Sequence, residues 1–183
     1  MTLYRTALEE LGAVADRIDD EAVDEACRMI AAAHRIGVFG GGREGLQIKG
    51  FAMRLFHLGL DVAVVGDMTM PALGEGDLFV VTVGPGEIST ALALIGVAKA
   101  AGAKILFLTA QPESRGAAMA DAVLTIPAQT MADDQGPAAT SVLPMGSLYE
   151  GALFLVFEIM VLKIRDILGV TPETMRANHT NME

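Results

Sequence analysis

The chain has 183 residues, of which 52% are hydrophobic and only 5% aromatic, with a formal net charge of −10. That length suits a single domain with a substantial core. The acidity, with no strongly basic window, excludes a nucleic-acid backbone or a polybasic membrane contact as the expected partner.

In chain order, residues 3–17 place Leu3, Ala7, Leu8, Leu11, Val14 and Ala15 at helical spacing, and residues 20–34 repeat the pattern. The second segment opens with Asp20, Glu21 and Asp24 and closes on His34-Arg35, as a helix dipole favours. His34 reads as a helix-end residue. The start of the chain carries acids early and has no continuous apolar run, so no signal peptide is expected. Cys27 is the only cysteine, so no intramolecular disulfide is expected and a cytoplasmic setting fits. With no adjacent histidine or basic activator, Cys27 reads as a buried thiol.

Five nearly continuous apolar runs follow: Ile36–Phe39, Val62–Val65, Leu78–Val83, Ile105–Leu108 and Ala122–Ile126. Such runs are strands buried on both faces. Helical patterns lie between them at Glu44–Leu58, Ser89–Ala101 and Ser114–Ala120, which predicts a parallel sheet with crossover helices, an α/β three-layer sandwich. Thr130 to Val142 lacks periodicity and reads as a loop. A long helix is expected over Gly146 to Leu168, ended by Gly169, and a short last helix with Thr171 as N-cap and Pro172 at its first position. The longest apolar runs, such as Gly151 to Phe157, are too short to span a bilayer. The chain thus divides into N-terminal helices (1–35), a sheet with its crossover helices (36–130) and C-terminal helices (145–183) of one domain.

Two strand–turn–helix units carry glycine-rich turns, GVFGGGREG and TVGPGEIST. Turns of this kind bring backbone N–H groups and a helix N-terminus to one spot. Two of them at the ends of parallel strands make one crevice. The first contains Gly40-x-Gly42-x-x-Gly45, and Asp67 stands where a ribose-binding acid belongs. That pattern alone is a weak dinucleotide signal. No cluster of His, Cys and carboxylates has metal-ligand spacing. Neither a cofactor nor a metal is expected.

Five collinear segments resemble the SIS (sugar isomerase) domain, and within it the 6-phospho-3-hexuloisomerase family. KGFAMRLFHLG (49–59) is similar to that family's KAFAMRLMHLG, and GDLFVV (76–81) to its GDLLIA. AGAKILFLTA (101–110) is similar to GAKVLALTS, PMGSLYE (144–150) to PLGSLFE, and the ending MRANHTNME to MRKRHANLE. The resemblance implies a five-stranded parallel sheet between helices and a homotetramer with its active site between subunits. It also implies metal-free conversion of a 3-ketohexose 6-phosphate to fructose 6-phosphate by proton transfer. Apolar surplus in Ala, Val, Leu, Ile and 11 Met independently predicts helix faces left over for subunit contact.

The phosphate turns depart from the family. Its Gly-x-Gly-Arg-Ser-Gly is here Gly40-Gly41-Gly42-Arg43-Glu44-Gly45, and its Ser-Gly-Ser-Gly-Glu-Thr is here Val83-Gly84-Pro85-Gly86-Glu87-Ile88. Four hydroxyls are missing, and Pro85 removes a backbone donor. Glu44 brings a carboxylate toward the place of a dianion, repulsive unless Arg43 or Lys49 offsets it. The departures point to a sugar, sugar acid or polyol derivative without phosphate. Ser89, Thr90 and the remaining turn N–H groups are the expected compensation if a phosphate is kept.

Moving a carbonyl along a sugar needs a base and a group that stabilises the enediolate oxygen. The resemblance puts the base at Glu150 and a second proton-transfer group at His179, reaching a neighbouring subunit's site. His57 is a candidate donor to a sugar oxygen. Arg43 is expected to bind substrate, or else to pair with Glu44 or Glu87. Glu87 and Ser147 are expected either to contact sugar hydroxyls or to cap helices. Gly42, Gly84, Gly86, Ser89 and Thr90 complete the expected substrate site. The alternative reading is a sugar-binding module without turnover.

Overall fold

The structure, a computed structural model, describes residues 2–182. Its elements in order are α1 (Leu3–Ala15), α2 (Asp20–Ala32), β1 (Ile36–Gly40), α3 (Gly42–His57), β2 (Val62–Val64) and β3 (Leu78–Thr82). They continue with α4 (Ser89–Ala100), β4 (Lys104–Thr109), α5 (Arg115–Ala118), β5 (Ala122–Thr125), α6 (Ser147–Leu168) and α7 (Pro172–Ala177).

The five strands form one parallel sheet in the order β2-β1-β3-β4-β5. Alternate residues of each strand face opposite layers, so a strand covered on both sides must be apolar throughout. Val38, Val80, Leu106 and Leu108 join the core beneath α2, α3 and α6. Phe79, Val81, Ile105 and Phe107 join a second core beneath α4 and α5. The result is the three-layer sandwich expected from the sequence.

Local signals set most helix ends. Thr2, Asp19 and Thr171 accept hydrogen bonds from backbone N–H groups in the first turns of α1, α2 and α7. Pro172 opens α7, and Gly169, in the left-handed region, closes α6. Two ends differ from expectation. Helix α2 stops at Ala32 because Ala33 is extended, so His34 lies beyond it, its N–H donating to the Gly76 carbonyl. Helix α5 shrinks to four residues, with Ser114 as its N-cap. The 130–142 segment is a loop, apart from a single 3₁₀ turn at Gly136–Ala138.

Candidate active site

Sheet order reverses between β1 and β3, whose C-terminal ends carry the two glycine-rich turns. In an open α/β sheet that is where a ligand crevice forms. A cavity of about 410 Å³ opens there. The first turn contributes Gly41, Gly42, Arg43 and Glu44, and the second Pro85 and Ile88. Tyr149 and Glu150 come from α6, and Thr130, Met131, Met145 and Gly146 from the loop that precedes it.

Glu44 does not lean on Arg43 or Lys49, contrary to expectation. Its side chain is buried, and its carboxylate bridges the two turns from below. The Gly84 N–H donates to both carboxylate oxygens at 3.0 Å, and Thr82 Oγ1 donates to Oε2 at 2.8 Å. The Tyr149 hydroxyl lies 3.2 Å from Thr82 Oγ1 and extends the network. Gly84 is required for this approach, since a Cβ there would lie 2.9 Å from the Tyr149 ring and 3.1 Å from Glu44 Oε1. Burial raises the Glu44 carboxyl above its ordinary value, Thr82 and Gly84 oppose the rise, and nearby Glu150 adds to it.

Arg43 pairs with neither Glu44 nor Glu87. Its Nε lies 3.2 Å from Glu150 Oε1, its Nη1 donates to Ser147 Oγ at 3.0 Å, and its Nη2 donates to the Met145 carbonyl. The guanidinium therefore ties the first turn to the start of α6 and fixes the orientation of Glu150. Met145 has a left-handed φ of 56°, an uncommon conformation for a side chain this large. Burial raises the Glu150 carboxyl, and Arg43 acts against that rise.

Ser147 and Glu87 cap neither helix that was expected of them. Gly146 is the N-cap of α6, and Ser147 instead accepts from Arg43. The Glu87 carboxylate accepts from the Arg115 N–H at the start of α5, not from α4. Ser89 and Thr90 are exposed and do not line the cavity. Gly42 does line it, with a φ of 54° that leads the chain into α3. Gly86 packs against Ser114 and Gln111 on the far side of its turn.

His57 and His179 lie elsewhere. Their rings stack with centroids 5.1 Å apart, and Asn178 Nδ2 donates to the His57 carbonyl. His57 ends the helix whose first turn holds Arg43, so about 21 Å of helix axis separates the two positions. Within one chain the histidines and Glu150 do not share a cavity. Cys27 is buried, its thiol donating to the Met160 carbonyl, and burial pushes its pKa up to about 12. It is no thiolate nucleophile.

Thr82 and Tyr149 were not recognised in the sequence. Tyr149 stood inside the matched PMGSLYE segment, but its contact with Thr82 joins positions 67 residues apart. Among the described residues no group of three His, Cys, Asp or Glu converges as a metal site, and no helix is long and apolar enough to cross a membrane.

Fold and crevice together define the class of protein. Residues 29–155 match the family model of the SIS domain, and the chain belongs to this family. It is 36% identical over 176 residues to the 3-hexulose-6-phosphate isomerase of Bacillus subtilis, covering 96% of this chain and 95% of that protein. It is 38% identical over 175 residues to the enzyme of the same name from Mycobacterium gastri, covering 96% and 87%. A crystal structure described as that of a hypothetical protein superposes with a TM-score of 0.89 at 29% identity, covering 98% of this chain and 95% of that one.

Proposed function

We propose that the protein is a sugar isomerase that moves a carbonyl along a sugar or sugar derivative through an enediolate, with Glu150 as the proton shuttle. The observation that carries this reading is the Glu150 carboxylate, half-buried at the cavity and held by Arg43 at 3.2 Å. The names of its relatives in Bacillus subtilis and Mycobacterium gastri support the reaction class.

The steps follow from the chemistry. Glu150 removes the proton from the carbinol carbon beside the carbonyl, and the electron pair moves onto the carbonyl oxygen as the enediolate forms. The Arg43 guanidinium stands beside the base and stabilises the developing oxyanion. Protonated Glu150 then returns its proton to the former carbonyl carbon, and the neighbouring hydroxyl becomes the new carbonyl. A proton must also pass between the two oxygens. In this reading His179 of a second copy serves that transfer, with His57 beside it, in a homotetramer whose sites lie between chains.

The test is solvent exchange. Ketohexoses and their phosphates that raise the melting temperature are incubated in D₂O with wild type and Glu150→Gln. Deuterium is expected to enter the sugar with wild type, and about 10²- to 10⁴-fold more slowly with Glu150→Gln, while binding persists. Undiminished exchange in the variant removes Glu150 from the role. Wild-type binding without exchange replaces the enzyme with a sugar sensor.

A further inference from the structure

We infer that Glu44 is a built-in anion that sets specificity, so that the sugar presents an uncharged, hydroxyl-bearing end to this crevice and not a phosphate or carboxylate. The inference rests on the sugar-isomerase reading and deepens it.

Three features at the crevice argue against an anionic ligand end. The donors at the start of the second turn, residues 82–86, are already engaged. The Gly84 N–H and the Thr82 hydroxyl go to Glu44, Pro85 has no N–H, and the Gly86 N–H closes its own turn on the Val83 carbonyl at 2.9 Å. Among the described residues the only cation lining the cavity is Arg43, which is shared among Glu150, Ser147 and the Met145 carbonyl and is already assigned to the oxyanion at the reacting end of the sugar. Two carboxylates against one guanidinium leave the lining negative when both are ionised, and a dianion entering beside them is repelled.

Glu44 cannot swing aside cheaply. Doing so would strand the buried Gly84 N–H and leave the Thr82 hydroxyl with Tyr149 alone as partner. A carboxylate has about four acceptor sites, so with three donated hydrogen bonds it still has room for a sugar hydroxyl. Pro85, Ile88, Met131 and Met145 give the rest of the wall an apolar character suited to the C–H face of a sugar.

The experiment is a calorimetric titration of the whole chain with a ketohexose, its 6-phosphate, the corresponding uronate and inorganic phosphate. Wild type is expected to bind the ketohexose at least about tenfold more tightly than the ester or uronate, as like charge at short range implies. In Glu44→Ser, which restores the family's hydroxyl and frees the Gly84 N–H, inorganic phosphate affinity is expected to rise by about tenfold or more. If that variant does not fold, Glu44→Gln keeps the shape without the charge, and the ester-to-ketohexose affinity ratio is expected to rise. A wild type that prefers the ester, or that binds neither sugar, overturns the inference, as does an unchanged ratio in a folded Glu44 variant. Binding is read without turnover, so absent proton exchange would defeat the isomerase reading while this preference stood or fell separately.

Discussion

Arg43 bears directly on how the site responds to pH. Glu150 must be ionised to accept a proton, so activity rises with pH through its pKa, which burial holds above the ordinary glutamate value. Arg43 pulls that pKa down, so its removal lets the value climb further. In Arg43→Ala the acid limb of the kcat/KM profile is therefore expected to move to higher pH, beyond any uniform loss of rate. An unshifted limb in a folded variant would show that another group governs the profile. Glu44 shows what a residue-level reading misses. Its type and position were plain in the sequence, and so was its conflict with a dianion. Its partners were not, because Thr82 and Gly84 approach it only when β3 is laid beside β1.

At the scale of elements, α3 and α6 hold the site together. Arg43 sits in the first turn of α3 and Glu150 in the first turn of α6, so their separation depends on how these two helices pack. Phe51 of α3 and Phe157 of α6 stack with centroids 4.2 Å apart and planes within 6°, both deeply buried. Phe157→Ala leaves a cavity at that contact and is expected to cost about 3–5 kcal/mol. In a domain of this size that lowers the melting temperature by roughly 6–20 °C. Thermal unfolding measures it, and a loss under 1 kcal/mol would mean that the stack does not hold the helices. The helices and strands themselves were legible from apolar spacing, caps and glycines. The shortening of α2 and α5 was not, since each depends on where the neighbouring turn pulls the backbone.

For the whole molecule, the faces that no described residue covers matter most. Tyr4 is 85% exposed, Leu46 68%, Phe154 57% and Phe56 55%, on α1, α6 and the two ends of α3. Helices α1 and α3 both pack on α6, so these side chains lie on adjoining helices that the proposed self-association would cover. A site completed by a neighbour's His179 depends on that self-association. Phe154→Asp is expected to shift sedimentation toward smaller species and, if assembly supplies the histidine, to lower exchange activity with it. Unchanged sedimentation of both wild type and variant as monomers would end that assembly.

The sequence by itself determined the fold class, the five strands, the position of both turns and the family. These are properties of local spacing and of collinear segments, and each can be read without knowing what lies across the sheet. Only the tertiary structure decided what the polar groups do to one another: Arg43 holding Glu150 in place of Glu44, Ser147 receiving Arg43 in place of a capped N–H, and Glu44 turned beneath the second turn. Those choices are made by hydrogen-bond donors and acceptors far apart in the chain. A buried polar group takes whichever partner the packing brings within 3 Å, and that partner has no fixed offset in the sequence.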